Sequence, residues 1–257
     1  MEALYIKGGG WSVAFSFGII QYLLEQHENK LRNAKWAGWS AGSLTALHIL
    51  SILHDTDNRT PLQRHIAAME FWFKNTIHES SRRSVMNNWG DCWLEYFIHL
   101  GFIRNPELYT YANDKVHIGL TKLRPGTIIP KPMGEVISKY KSNAHMMEVS
   151  YHSCYCPGFM QKPAIALKRW QGDKFHRLDG VYFENKIMLS DQYKRDEILV
   201  IGRRGDGQCD ISPDPMIFGH RPVVSVFDIT PRPRYLYEMY DNGYHQAKKY
   251  DETYKIK

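Results

Sequence analysis

Cysteine is scarce. The 257 residues hold four, Cys92, Cys154, Cys156 and Cys209, too few and too irregularly spaced for a disulfide framework or a zinc site, so they read as reduced thiols used in packing and no metal is expected. Long apolar runs are missing as well. No stretch approaches the roughly 20 residues that a membrane-spanning helix needs, and the opening MEALYIKGGG lacks the basic start and apolar block of a secretory leader. Both absences predict a cytoplasmic protein. No motif of nucleic-acid recognition is present, and the densest basic run, "PRPR" at 231–234, reads as a solvated loop before a helix. No nucleic-acid partner is expected.

What is present belongs to an ordinary globular chain. Hydrophobic residues make up 43% and charged residues 23%, which excludes disordered and fibrous classes and predicts one domain over 1–257. The net charge of +6 predicts a mild attraction to anionic surfaces such as lipid headgroups. Patterns alternate along the chain. Residues 4–7, 34–39, 116–123, 164–168, 198–202 and 223–227 read as strands; residues 13–26, 43–53 and 235–250 read as helices. Residues 61–111 are rich in aromatics at helical spacing and predict helices that cover the sheet and form part of a lid. Such alternation predicts an α/β fold, a mixed sheet with helices on both faces.

Within "AKWAGWSAGSLTALHIL", Gly38, Ser40 and Gly42 spell G-x-S-x-G between a strand and a helix, the order that holds a nucleophilic serine on a tight turn. Small flanks suit such a turn because a side chain there collides with neighbouring backbone. The competing reading is a serine capping an ordinary helix. Upstream, "KGGGWS" places Gly8, Gly9 and Gly10 between a strand and a helix, where backbone N–H groups can face a developing oxyanion. A dinucleotide cradle competes, but Val13 occupies the third glycine position of G-x-G-x-x-G and no G-K-[ST] follows. No nucleotide or other cofactor is expected.

A serine hydroxyl needs a base. A Ser-His-Asp arrangement would draw on His220, in a proline-rich loop, or His245, within the closing helix, and neither is well placed. The better candidate lies in "HRLDGVYFEN". Asp179 precedes Gly180 in a turn between apolar Leu178 and Val181, and an aspartate partly shielded from water there is a usable proton acceptor.

Taken together, the glycine triplet, the G-x-S-x-G and the Asp-Gly 139 residues after Ser40 (179 minus 40) resemble the patatin-like phospholipases. The likeness extends to Ser153, Pro157, Gly158 and Phe159 in "SCYCPGF", to Asn185 after the Asp-Gly, and to the closing "MYDNGYHQAKKY". The resemblance implies a three-layer α/β/α fold with a mostly parallel central sheet and a lipid acyl hydrolase without metal. It also implies roles: Ser40 as nucleophile, Asp179 as proton acceptor, and the backbone of Gly8, Gly9 and Gly10 as oxyanion hole. Ser12 and Val13 depart from the family, whose members commonly carry Arg or Lys and then Gly there. A lipid substrate follows from the same resemblance, and the mild basic charge with abundant Tyr and Trp fits transient docking on membrane surfaces. The alternatives are a patatin-fold lipid- or partner-binding protein of little or no activity, and a Ser-His-Asp esterase on small esters.

Overall fold

A computed structural model describes residues 1–77, 94–123, 132–155, 176–183, 185–202, 209–214 and 233–256. Six strands form one sheet: β1 (Ala3–Ile6), β2 (Lys35–Trp39), β3 (Val116–Leu123), β4 (Met133–Ile137), β5 (His176–Leu178) and β6 (Ile198–Ile201). Their order is β4-β3-β2-β1-β6, with β5 paired to β3 off that path. β6, β1, β2 and β3 run parallel, while β4 and β5 run antiparallel to β3. The central strands are buried on both faces, which explains why "ALYI" and "ILVI" read as continuous apolar runs rather than alternating ones.

The helices are α1 (Val13–Asn33), α2 (Ala41–His54), α3 (Pro61–Phe71), α4 (94–99), α5 (Leu108–Ala112), α6 (Asn143–Cys154) and α7 (Pro233–Tyr254). The result is a mixed α/β fold, a mostly parallel six-stranded sheet flanked by helices, consistent with the expected α/β/α arrangement. Alternate side chains of each strand feed two cores. Leu4, Ile6, Trp36, Ile118 and Leu120 join the larger one with Phe17, Leu47 and Leu236 from the helices. Tyr5, Ala37, Trp39 and Val200 face the other, closed among the described residues by Phe183, Met188 and Leu189. The expected strands at 164–168 and 223–227 lie outside the described residues.

Two helix boundaries have local causes, and the first differs from the sequence reading. α1 continues past residue 26 to Asn33, across a break at His27 (φ −139°, ψ 30°), whose ring Nε2 lies 2.7 Å from Asp251 Oδ2 on α7. α3 opens with a capping box, Thr60 and Gln63 each bonding the other's backbone N–H, and with Pro61 in its first turn.

α1 and α7 pack through two glycines. A Cβ on Gly18 would lie 1.9 Å from the Tyr240 carbonyl oxygen, and one on Gly243 would lie 2.0 Å from that of Phe15. The backbones therefore touch, and only glycine fits. Gly243→Ala is expected to force the helices apart and to lower stability by about 1–3 kcal/mol or more, the usual range for overpacking. Urea unfolding checks this, and an unchanged midpoint would contradict the close approach.

Candidate active site

The site begins where β2 ends. Its last residue, Trp39, pairs with Gly119 of β3, and the chain turns at Ser40 into α2. Ser40 has φ 51° and ψ −130°, a region that costs a side-chain-bearing residue roughly 1–3 kcal/mol. Its two glycines make the turn possible. A Cβ on Gly38 would sit 2.3 Å from the Gly42 carbonyl oxygen, and one on Gly42 would sit 2.0 Å from the Ile6 carbonyl oxygen of β1. The G-x-S-x-G spacing is thus dictated by backbone pressing on backbone. The capping reading covers less: Ser40 stands at the N-cap position, but its side chain makes no capping bond.

Asp179 reaches the same place from the opposite direction. β4 occupies one edge of β3 over Ile118 to Lys122, so β2 and β5 must share the other edge. β2 runs along it up to Gly119; β5 runs against it and ends with Leu178 opposite Thr121. Only Leu120 separates the two strand ends. Ser40 and Asp179, each the next residue of its strand, therefore emerge at one level of the sheet. The junction is tight, since a Cβ on Gly180 would lie 2.5 Å from Trp39 Cβ. Both Ser40 and Asp179 keep partial exposure.

The glycine triplet stands beside them at the end of β1, whose Ile6 pairs with Gly38. Gly8 lies against the Trp39 indole, with a Cβ there 2.5 Å from the ring. Gly10 adopts φ 54°, which glycine takes without strain. The carbonyls of Gly9 and Gly10 accept from the N–H groups of Ser12 and Val13, whereas the N–H groups of Gly9 and Gly10 meet no acceptor among the described residues. All three glycines lie at the carboxyl ends of parallel strands, where open α/β sheets place their ligands. The departure at Val13 is harmless to the backbone, because Val13 has right-handed helical angles of −53° and −35°.

Several residues around Ser40 carry no signal of their own in the sequence. Ser40 N–H donates to Ser153 Oγ at 2.8 Å, and the Ser40 carbonyl accepts from Ser43 Oγ at 2.7 Å. Ser153 is legible only through the family resemblance; Ser43 only as the residue one helical turn after the serine. Cys154 is buried beside them as a free thiol, and burial first, then the charge of Asp179, pushes it well above the usual thiol range. It stays neutral and packs, as the sequence suggested. Of the alternative bases, His245 is exposed on α7, and His220 lies outside the described residues, as do Pro157, Gly158 and Phe159. Asn185 is exposed.

No protein-family profile matches this chain, and no curated protein does. Among solved structures it is similar to the crystal structure of VipD from Legionella pneumophila, with a TM-score of 0.49 and 12% identity, over 98% of this chain and 67% of that one. A likeness at that level bears on neither activity nor site residues.

Proposed function

We propose that residues 1–257 form a single patatin-like domain that hydrolyses carboxylic esters of lipids through a Ser40–Asp179 dyad. One observation carries the reading: a serine at positive φ and an Asp-Gly turn meet on one edge of β3, beside glycine N–H groups that have no acceptor among the described residues.

In this scheme Asp179 takes the hydroxyl proton as Ser40 Oγ attacks the ester carbonyl. Charge then builds on the carbonyl oxygen, and the N–H groups of Gly8, Gly9 and Gly10 are the donors that would meet it; one such donor is worth about 10²–10³ in rate. The bond to the alcohol breaks, Asp179 returns the proton to the leaving oxygen, and the acyl group stays on Ser40. Water, giving its proton to Asp179, attacks the acyl carbon; the fatty acid leaves and Ser40 regains a proton. The scheme draws on no metal or cofactor. Ser40 Oγ makes no hydrogen bond among the described residues, and such contacts commonly tighten only in the substrate complex.

A phospholipid or lysophospholipid is the proposed substrate. Among the described residues no helix is long and apolar enough to cross a membrane. With a net charge of +6, the chain would reach lipid by transient docking on a surface, from the cytoplasm. Fatty-acid release from mixed phospholipid and lysophospholipid vesicles tests the reading. Release by wild type and none by Ser40→Ala is expected. Tight vesicle binding without release by wild type would favour the binding-protein alternative.

A further inference from the structure

We infer that the C-terminal turn of α6 sets the separation of Ser40 and Asp179, with Ser153 as a positioning residue for the nucleophile. The inference rests on the dyad reading. Two bonds carry it. Ser40 N–H donates to Ser153 Oγ at 2.8 Å, and Asp179 N–H donates to the Tyr155 carbonyl at 2.8 Å. Two residues far apart in sequence are thus tied, by their main chains, to points two residues apart on one helix end.

A third bond fixes this clamp to the sheet. Ser153 Oγ donates to the Gly119 carbonyl at 2.7 Å, at the level of β3 where β2 stops. Gly180 rests on the same carbonyl, a Cβ there lying 2.6 Å from its oxygen. One oxygen of β3 therefore borders both the serine turn and the aspartate turn.

Proton counting gives every bond a direction. A carbonyl only accepts, so the single Ser153 hydroxyl proton points at Gly119 and its lone pair receives Ser40 N–H. On the far side of Ser40, Ser43 Oγ donates to the Ser40 carbonyl, so the 2.8 Å contact between Ser43 and Ser150 is a donation from Ser150. Hydroxyl groups of α2 and α6 thus hold the strained residue on both sides. Ser43, Ser150 and Ser153 have 0% exposure, which keeps solvent off their hydroxyl groups.

The need for Ser153 follows from the strand junction. A residue within β2 would bond its N–H to a neighbouring strand, but at Ser40 the chain has left the ladder and β5 runs the other way. The Ser40 amide is part-buried, and an amide turned inward without an acceptor is destabilising. The Ser153 hydroxyl fills that place. Without it the turn can relax away from φ 51°, and a shift near 1 Å at a reacting group is worth about 10²-fold in rate.

The test measures fluorophosphonate labelling of Ser40, steady-state ester hydrolysis, and hydrogen exchange at the Ser40 amide. Wild type is compared with Ser153→Ala, Ser153→Thr and Val149→Ala; the last removes buried methyl groups from α6 and controls for lost stability. In Ser153→Ala, labelling and kcat are expected to fall by about 10- to 100-fold with KM nearly unchanged. Exchange at the Ser40 amide should accelerate at least tenfold. Ser153→Thr, which keeps the hydroxyl, should recover most of the rate, and Val149→Ala should keep it despite a lower Tm. Should Ser153→Ala fail to fold, Ser153→Cys, with its weak acceptor, is expected to show the same fall. Labelling at the wild-type rate in Ser153→Ala, or an equal loss in Val149→Ala, overturns the positioning role alone. Wild type that labels elsewhere or not at all overturns the dyad, and this inference with it.

Discussion

Asp179→Asn is expected to lower lipid-ester turnover by about 10²–10⁴-fold, the usual share of a general base, with little change in Tm. The side chains are nearly isosteric, and the Asp179 N–H that bonds the Tyr155 carbonyl is retained. What the amide cannot do is accept the Ser40 proton. The paired change His220→Gln with His245→Gln is expected to leave the rate close to wild type, since His245 is exposed on α7. Turnover that survives in Asp179→Asn and disappears in the histidine double variant would contradict the dyad and restore the esterase alternative.

The second large effect is on stability in mild acid. Tyr96 Oη lies 2.8 Å from His48 Nδ1, His48 Nε2 lies 2.8 Å from His65 Nδ1, and His65 Nε2 lies 3.0 Å from Tyr240 Oη. The chain continues through Gln21, whose amide donates to Glu25 Oε1 at 2.8 Å and whose carbonyl accepts from Tyr240. Because Glu25 can only accept, each upstream group has one possible orientation while both imidazoles are neutral. Tyr240 donates to Gln21, His65 Nε2–H to Tyr240, His48 Nε2–H to His65, and Tyr96 to His48. Burial keeps both imidazoles neutral in this arrangement. A proton added at either Nδ1 would face a donor, His48 Nε2–H or Tyr96 O–H, and would force the groups beyond it to reverse.

Burial lowers both histidines, His65 to about 3 and His48 well below its ordinary value, the latter also by repulsion from His65. His54 is lowered to about 4, by burial and then by Lys115 and Arg32. In the unfolded chain each titrates near the ordinary imidazole value of 6.5. Between the two values the unfolded state binds more protons, so stability is fully present above pH 6.5 and falls as pH drops toward the folded values. Each fully buried histidine contributes a slope of about 1.4 kcal/mol per pH unit. From about pH 6.5 to 4.5 the two together can remove up to about 5 kcal/mol, the low end of the whole stability of a typical domain, about 5–15 kcal/mol. Carboxylates such as Asp57, held near 2 chiefly by Arg64 and Arg59 against an opposing burial effect, act only at lower pH. Unfolding free energy measured from pH 7.5 to 4.5 should therefore fall steeply below pH 6.5, and less steeply in His65→Gln. A flat wild-type profile would contradict the neutral network.

The elements legible in the sequence are those whose burial is uniform. β3 keeps its expected limits, and β1, β2, β6 and α2 differ by a residue or two. β4, β5 and α6 were not legible. β4 is a five-residue edge strand whose apolar Met133 and Val136 are exposed rather than buried, and β5 has three residues. α6 buries Asn143, Ser150, His152 and Ser153 as well as Met146 and Val149, so its apolar stripe is broken. The same elements decide the site. Gly38 and Gly42 announce the serine turn locally because their neighbours are close in sequence. The approach of Asp179 depends on β5 sharing an edge of β3 with β2, which spacing along a chain does not encode. The Asp-Gly turn offered Asp179 as a candidate base on local grounds, and the family resemblance is what paired it with Ser40.

The most direct test of the central claim is peptide mapping after exposure to a fluorophosphonate, with detergent or vesicles present so that access to the site is open. A single adduct on Ser40, absent in Ser40→Ala and formed much more slowly in Asp179→Asn, is the predicted result. A folded wild type that carries no adduct on Ser40 would contradict it.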